Sequence, residues 1–283
     1  MEIKVNGQPL DFTLEKEETV GEVLAGIEVW LTGSGNRITE ISIDGKIVTS
    51  SMVEDVFPMK INTINCLDIH TDIIANLAAA SLTNLLDDIN IFEKMDFSEK
   101  KNFFSSWKES SCARFIYTEY LDLFTSCVNT FSFKNTDPSS LRAVTEERLR
   151  EIREPVNEFQ KIEPVLNEIC QRLVDLPLDI QTGKDKYAAQ TIQLFSAVTE
   201  KIIRIFRQID IQGYIEAASG QKERIVNLIN EFSVIMKELL ESYEKNDSVL
   251  VGDCAEYEAS PGLKKIYTAI LESVRDIKVQ VEK

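Results

Sequence analysis

IKVNG at residues 3–7, TVGEVLAGIEVWL at 19–31 and ISIDGKIV at 41–48 decide the fold of the first quarter of this chain. In the first stretch Ile3 and Val5 alternate with Glu2 and Lys4, the period of a strand with one buried face. Asn6-Gly7 follows, a pair that tolerates positive φ at both turn centres, so a hairpin is expected. Leu10, Phe12 and Leu14 alternate again and predict the returning strand. Thr19 is placed to cap a helix, and Val20, Val23, Leu24, Ile27 and Leu31 recur behind it at helical spacing. Gly33-Ser34-Gly35-Asn36 ends that helix. Ile38, Ile41, Ile43 and Val48 then flank Asp44-Gly45, a second hairpin signal. A last strand is expected from Ile61 to Ile69, with Ile61, Thr63, Asn65, Leu67 and Ile69 on one face.

Working outward, these pieces run strand, strand, helix, strand, strand, strand. That is the order of a β-grasp module. The stretches IKVNGQPLDFTLEKEETVGEVLAGI, ITEISIDGKIV and INTINCLDI resemble the ubiquitin-like sulfur carriers of thiamin and molybdopterin synthesis. Those carriers also open with a strand ending in Asn-Gly, followed by a helix led by Thr-Val. The resemblance covers residues 1–70 and implies the fold. It does not carry the chemistry over, because the carriers end in a free Gly-Gly, whereas here the strand runs into His70-Thr71-Asp72 and the chain continues. The superfold itself serves mostly as a platform for other proteins.

From residue 71 the hydrophobic period becomes helical. Thr71 or Asp72 is expected to cap a helix carrying Ile73, Ile74, Leu77, Leu82, Leu85, Leu86 and Ile89, and Ser98 the next, with Phe103, Phe104 and Trp107. Residues 134–140 are rich in turn formers and mark a candidate internal boundary. Pro155 and Pro164 each remove a backbone donor and predict separate short helices. The strongest periodicity lies between 185 and 243. Ile192, Phe195, Thr199, Ile202, Phe206 and Ile209 form one heptad seam; Ile225, Ile229, Phe232, Met236, Leu239 and Tyr243 form another. With Gly213 and Gly220 between them, an antiparallel hairpin over 185–243 is expected. Ser260-Pro261 predicts the start of the last helix, a cap followed by proline. The expected fold class is α+β: a small N-terminal β-grasp-like domain over 1–70, then an all-α helical bundle over 71–283.

Composition narrows the function classes. Of the 283 residues 43% are hydrophobic, enough for a sizeable core, and 47 acidic against 31 basic residues give a net charge of −16. Nucleic-acid and anionic-membrane surfaces attract cations, so neither is the expected partner. No apolar run approaches the ~18 residues of a membrane span, and Met1-Glu2-Ile3-Lys4 does not open a signal peptide. Cys66, Cys112, Cys127, Cys170 and Cys254 are scattered and form no CxxC pair, which fits a reducing cytoplasm.

The chemistry-bearing candidates are few. A single histidine, His70, removes multi-histidine metal sites. Gly33-Ser34-Gly35-Asn36 lacks the lysine of a phosphate loop, and Gln181-Thr182-Gly183-Lys184 has only one glycine and no strand before it. No catalytic residue, cofactor-binding residue or metal ligand is nominated. The segment from Asn246 to Glu258 carries four acidic residues around Val249-Leu250-Val251, in an order that fails the calcium-loop pattern. It is expected to pack Val249, Leu250 and Val251 while Asp253, Glu256 and Glu258 face water; the alternative is a partner-binding face of Asp253, Glu256, Tyr257 and Glu258. The chain is accordingly expected to be a cytoplasmic, non-catalytic interaction module: an adaptor, scaffold or chaperone, comparable in class to flagellar and secretion chaperones. Its expected partner is another protein with a basic face or an amphipathic helix, or a second copy of itself. An accessory subunit in sulfur transfer and a structural spacer are the alternatives.

Overall fold

The computed structural model describes residues 1–10, 16–132, 137–216 and 220–281. The chain forms two compact units, Met1–Thr145 and Glu146–Lys283. A small sheet opens the first unit and helices make up the rest of both, an α+β fold.

The sheet contains β1 (Glu2–Val5), β2 (Gln8–Pro9), β3 (Asn36–Ile43), β4 (Lys46–Ile47) and β5 (Cys66–Ile73), in the order β2-β1-β5-β3-β4. β1 and β5 run parallel at the centre, and the remaining pairs are antiparallel. This mixed five-stranded arrangement is compatible with a β-grasp-like domain. Both predicted hairpin turns form, with positive φ at Asn6 and Gly7 and at Asp44 and Gly45. Asp44 does more than turn: its carboxylate accepts the backbone N–H groups of Asn65 and Cys66 at 3.0 and 2.8 Å, tying the second hairpin to the start of β5.

Helix α1 (Val20–Gly33) lies across one face of the sheet and buries Val20, Val23, Leu24, Ile27 and Leu31 against Ile3, Leu67 and Ile69. Thr19 accepts from the Glu22 N–H while the Glu22 side chain accepts from the Thr19 N–H, a reciprocal cap. The last strand begins later than its alternation suggests, because Ile61–Thr63 is a turn of 3-10 helix. Of the returning strand, Phe12 and Leu14 lie outside the described residues; the strand β2 covers only Gln8–Pro9.

The first unit continues with α2 (Val53–Val56), α3 (Ile74–Lys94), α4 (Phe97–Trp107), α5 (Ser111–Glu119) and α6 (Leu121–Phe131). α3 starts without a capping side chain at its N-cap, Ile73; the Asp72 carboxylate instead accepts from the Ile73 N–H and from Asn76. Asp96, not Ser98, caps α4, again with a reciprocal glutamate at Glu99. Phe92, Phe103 and Phe131 meet with ring centroids 5.0–5.3 Å apart, and Trp107 joins them edge-on to Phe131.

Helix α7 (Pro138–Arg153) contains the boundary between the units, and residues 134–136 of the expected linker lie outside the described residues. The second unit holds α8 (Pro155–Gln160), α9 (Glu163–Gln181), α10 (Asp185–Ile211), α11 (Gln221–Glu244), α12 (Ser248–Asp253), a π-helical segment (Cys254–Ala259) and α13 (Ser260–Val281). The prolines split α7, α8 and α9 as expected, with Pro155 and Pro164 each in a first helical turn. Every seam residue of α10 is buried; in α11 Ile225, Phe232 and Leu239 are buried and Ile229, Met236 and Tyr243 partly so. The two seams meet at Phe195 and Phe232, but the main neighbours of α10 are α9 and α8, and those of α11 are α13 and the π segment. Wide stripes with two apolar flanks select a multi-helix core over a two-helix pair.

Candidate functional site

The segment singled out for its acidity is built by three local devices. Asn246, at φ 54°, turns the chain out of α11. Asp247 then caps α12 by accepting the Leu250 N–H at 3.1 Å. The third device is the π segment. The last helix, α13, begins at Ser260 as the sequence suggests, but the backbone before it is already helical, with Ser260 at φ −64°, ψ −48° and not in an extended cap. A proline has no N–H and its ring clashes with the carbonyl four residues back, here that of Tyr257. The chain widens immediately before it, and the Ser260 N–H donates five residues back to Ala255. Helical direction is kept, and an extra residue is accommodated in the turn that carries Glu256, Tyr257 and Glu258.

This turn is held from below. Cys254 donates weakly to the Ile235 carbonyl at 3.7 Å, and Cys170 to the Ser260 carbonyl at 3.9 Å. Burial pushes the Cys254 thiol up to about 11 and raises that of Cys170, so both are protonated packing groups. Cys112 and Cys127 in the first unit are alike: burial, reinforced by the charge of Asp88, lifts Cys112 to about 12 and raises Cys127 further.

Asp253, Glu256, Tyr257 and Glu258 all face outward, Tyr257 with 69% of its surface exposed. Two neighbours depart from expectation. Of Val249, Leu250 and Val251 only Val251 is buried; Leu250 is exposed and Val249 is 69% exposed. The reason is the approach of α9. A Cβ on Gly252 would lie 2.9 Å from the Pro177 ring, and Gln181 Nε2 reaches Ser248 Oγ at 3.4 Å. The Ser248–Gly252 edge of α12 is therefore spent on α9, and Val251 takes the core side.

These paired contacts fix more than proximity. They sit four residues apart on each helix and in opposite chain order, so α9 and α12 are antiparallel. At about 100° per residue, Val174 and Leu178 on α9 and Val249 and Asp253 on α12 then share one flank of the pair. Leu178 is 57% exposed and Val174 is also exposed. Sequence reasoning missed Val174 and Leu178, which look like two more residues of an amphipathic helix. Only the antiparallel pairing with α12 brings them beside Val249.

A second group of charges lies elsewhere in the same unit. Glu151 on α7 is 1% exposed and accepts a forked pair of bonds from Arg204 on α10, from Nε at 2.7 Å and Nη2 at 2.8 Å. Arg148 Nη1 lies at 3.5 Å and Lys201 Nζ at 3.9 Å, while Lys201 also pairs with Glu147. Burial pushes the Glu151 carboxyl up to about 7 against the pull of Arg148 and Lys201. The other charged residues of the segments considered from sequence do not converge. His70 is exposed on β5 opposite Glu40, and Gly33-Ser34-Gly35-Asn36 simply joins α1 to β3. Among the described residues no group of three or more His, Cys, Asp or Glu side chains is placed to hold a metal ion, and no helix is long and apolar enough to cross a membrane.

Comparison with known proteins gives one family match within each unit. Residues 1–72 match the model of the TP0873 N-terminal domain, and the match ends one residue before the end of β5. Residues 157–269 match a domain of unknown function (DUF8042), a span that includes the α9–α12 pair and the π segment. An uncharacterized protein of Treponema pallidum (strain Nichols) is 20% identical over 271 residues, covering 96% of this chain and 96% of its own. The likeness thus runs through sheet and helices together. No solved structure matches the chain.

Proposed function

We propose that the chain is a non-catalytic, cytoplasmic protein-binding module of the adaptor, scaffold or chaperone type. In this reading the N-terminal domain is a β-grasp platform without sulfur-carrier chemistry, and the second unit carries the principal contact surface. The observation that supports it best is the outward-facing turn Glu256-Tyr257-Glu258, mounted on a π-helical widening whose inner side is fixed by Cys254 and Ser260. Such widened turns are frequent at functional sites. A tyrosine 69% exposed between two carboxylates combines an apolar body with a polar tip, the composition that interfaces favour.

The test is affinity purification of the full chain from its native cells, beside a Tyr257→Ala/Glu256→Gln/Glu258→Gln variant. The wild type should retain a stoichiometric protein partner, and the variant should lose most of it while keeping its circular dichroism spectrum. Absence of a stoichiometric partner, together with a monomeric mass by light scattering, would overturn the proposal.

A further inference from the structure

We infer that the flank formed by α9 and α12 is a docking strip for a lysine- or arginine-rich amphipathic helix. The inference rests on the partner-binding reading above and specifies where the partner lies and what chemistry it brings.

The apolar part of the strip comes from both helices. Val174 and Leu178 are one turn apart, about 6 Å along α9. Val249 faces the same side from α12, and Tyr257 continues its ridge two turns on. All four are exposed, although other apolar residues of these elements, including Leu173, Leu176 and Val251, are buried. Two antiparallel helices with exposed apolar residues along a shared side form the kind of groove into which an amphipathic helix lays its own apolar face.

Charge selects the occupant. Asp253 lies between Val249 and Tyr257 on the ridge, Glu256 and Glu258 flank Tyr257, and Asp175 adjoins Val174. Among the described residues none of these four carboxylates has an ion-pair partner, and two cations of the neighbouring segments are engaged elsewhere. Lys184 pairs with Asp179 at 3.2 Å, and Arg172 turns to the Thr191 hydroxyl at 3.3 Å. An acidic or neutral helix would leave the carboxylates unanswered or repelled; a basic one pairs with them at the rim while its apolar face covers Val174, Leu178 and Val249.

The experiment uses the full chain and two labelled 18-residue probe peptides, one an amphipathic Leu/Lys helix and the other its Leu/Glu counterpart, followed by fluorescence anisotropy. The Leu/Lys peptide should bind at least about tenfold more tightly, and its affinity should fall as salt rises. Leu178→Ser with Val249→Ser leaves the net charge untouched, so attraction to an acidic protein in general would survive it; it should instead weaken the Leu/Lys peptide about tenfold. Asp253→Asn with Glu256→Gln should weaken it several-fold and flatten the salt dependence. Equal binding of the two peptides, or affinity unchanged in the Ser variant, overturns the inference. So does a concentration-dependent dimer that the Ser variant abolishes, since the occupant would then be a second copy. If the cellular partner is retained while the Ser variant leaves both peptide and partner unaffected, this strip is wrong and the partner-binding reading stands. If no partner and no peptide bind, both fall.

Discussion

Two sets of carboxylates in the Glu146–Lys283 unit are put to opposite use. Glu151 is almost fully buried and forked by Arg204, with Arg148 and Lys201 close by. Asp253, Glu256 and Glu258 are exposed and, among the described residues, without ion-pair partners. A buried carboxylate is tolerated only where its partners are supplied by the fold, and it then fixes the register of α7 against α10. Exposed, unpaired carboxylates contribute almost nothing to stability, so their accumulation on one turn is available for recognition. The contrast predicts that substitutions at the first set change stability and leave surface properties alone, and that those at the second do the reverse.

The largest effect should come from Glu151→Ala. It leaves Arg204 and Arg148 facing a buried void, and breaking a buried pair on one side costs about 3–5 kcal/mol. Urea titration followed by circular dichroism should show the loss, with hydrogen exchange accelerated in α7 and α10. A change below about 1 kcal/mol would mean that water replaces the carboxylate, and the two sets would differ less than their burial indicates.

Glu151→Gln sharpens the same point through pH. The folded carboxyl is raised to about 7 from an ordinary 4.5, with burial the leading cause. Between those values the folded chain keeps a proton that the unfolded chain has released. The contribution of Glu151 is therefore full below about pH 4.5 and is lost as pH rises through about 7. Glutamine does not titrate, so the wild type should lose stability relative to Glu151→Gln over this window, by a few kcal/mol at most. The opposite slope would show that the Arg204 fork outweighs burial.

The sequence made the exposed set legible and hid the buried one, for a physical reason in each case. Thr19 and the five apolar positions of α1 could be read because capping and periodicity are local. The outward placement of Asp253, Glu256, Tyr257 and Glu258 followed from the same logic. Glu151 looked like one more charge in a polar helix, because its burial depends on Arg204, 53 residues away. Ser260-Pro261 could be read as the start of α13 because Ser-Pro is a local starting signal; the π turn that joins it to the preceding helix involves Tyr257 and Ala255, which no start signal includes. Val174 and Leu178 stayed invisible because their meaning lies in the antiparallel approach of α12.

That approach supplies a prediction of intermediate size. Gly252→Ala would set a methyl 2.9 Å from the Pro177 ring, close enough that one helix must shift. Overpacking of this kind costs about 1–3 kcal/mol, offset by up to about 1 kcal/mol because alanine favours helix over glycine. A net loss of about 1–2 kcal/mol is expected, with faster hydrogen exchange confined to α12 and the C-terminal turns of α9. Unchanged stability would mean that Pro177 does not fix the separation of the pair.

The smallest effect on stability is expected from Glu256→Gln with Glu258→Gln, and it tests the contrast from the other side. Both side chains are exposed and lack ion-pair partners among the described residues, so surface substitutions there should stay within about 0.5 kcal/mol of the wild type. The backbone of the π turn should be unaffected, since its fixed points are Cys254, Ala255 and Ser260 and not the glutamates. What should change is the field above Tyr257: removing two negative charges makes the local potential less negative within a Debye length of about 8–10 Å. Binding of the Leu/Lys peptide across a salt series reads that field directly. The variant should bind that peptide several-fold more weakly at low salt and approach the wild type as salt rises. Unchanged affinity with unchanged stability would leave the two glutamates without influence on the turn they flank, and the exposed set would then be ordinary solvated charge.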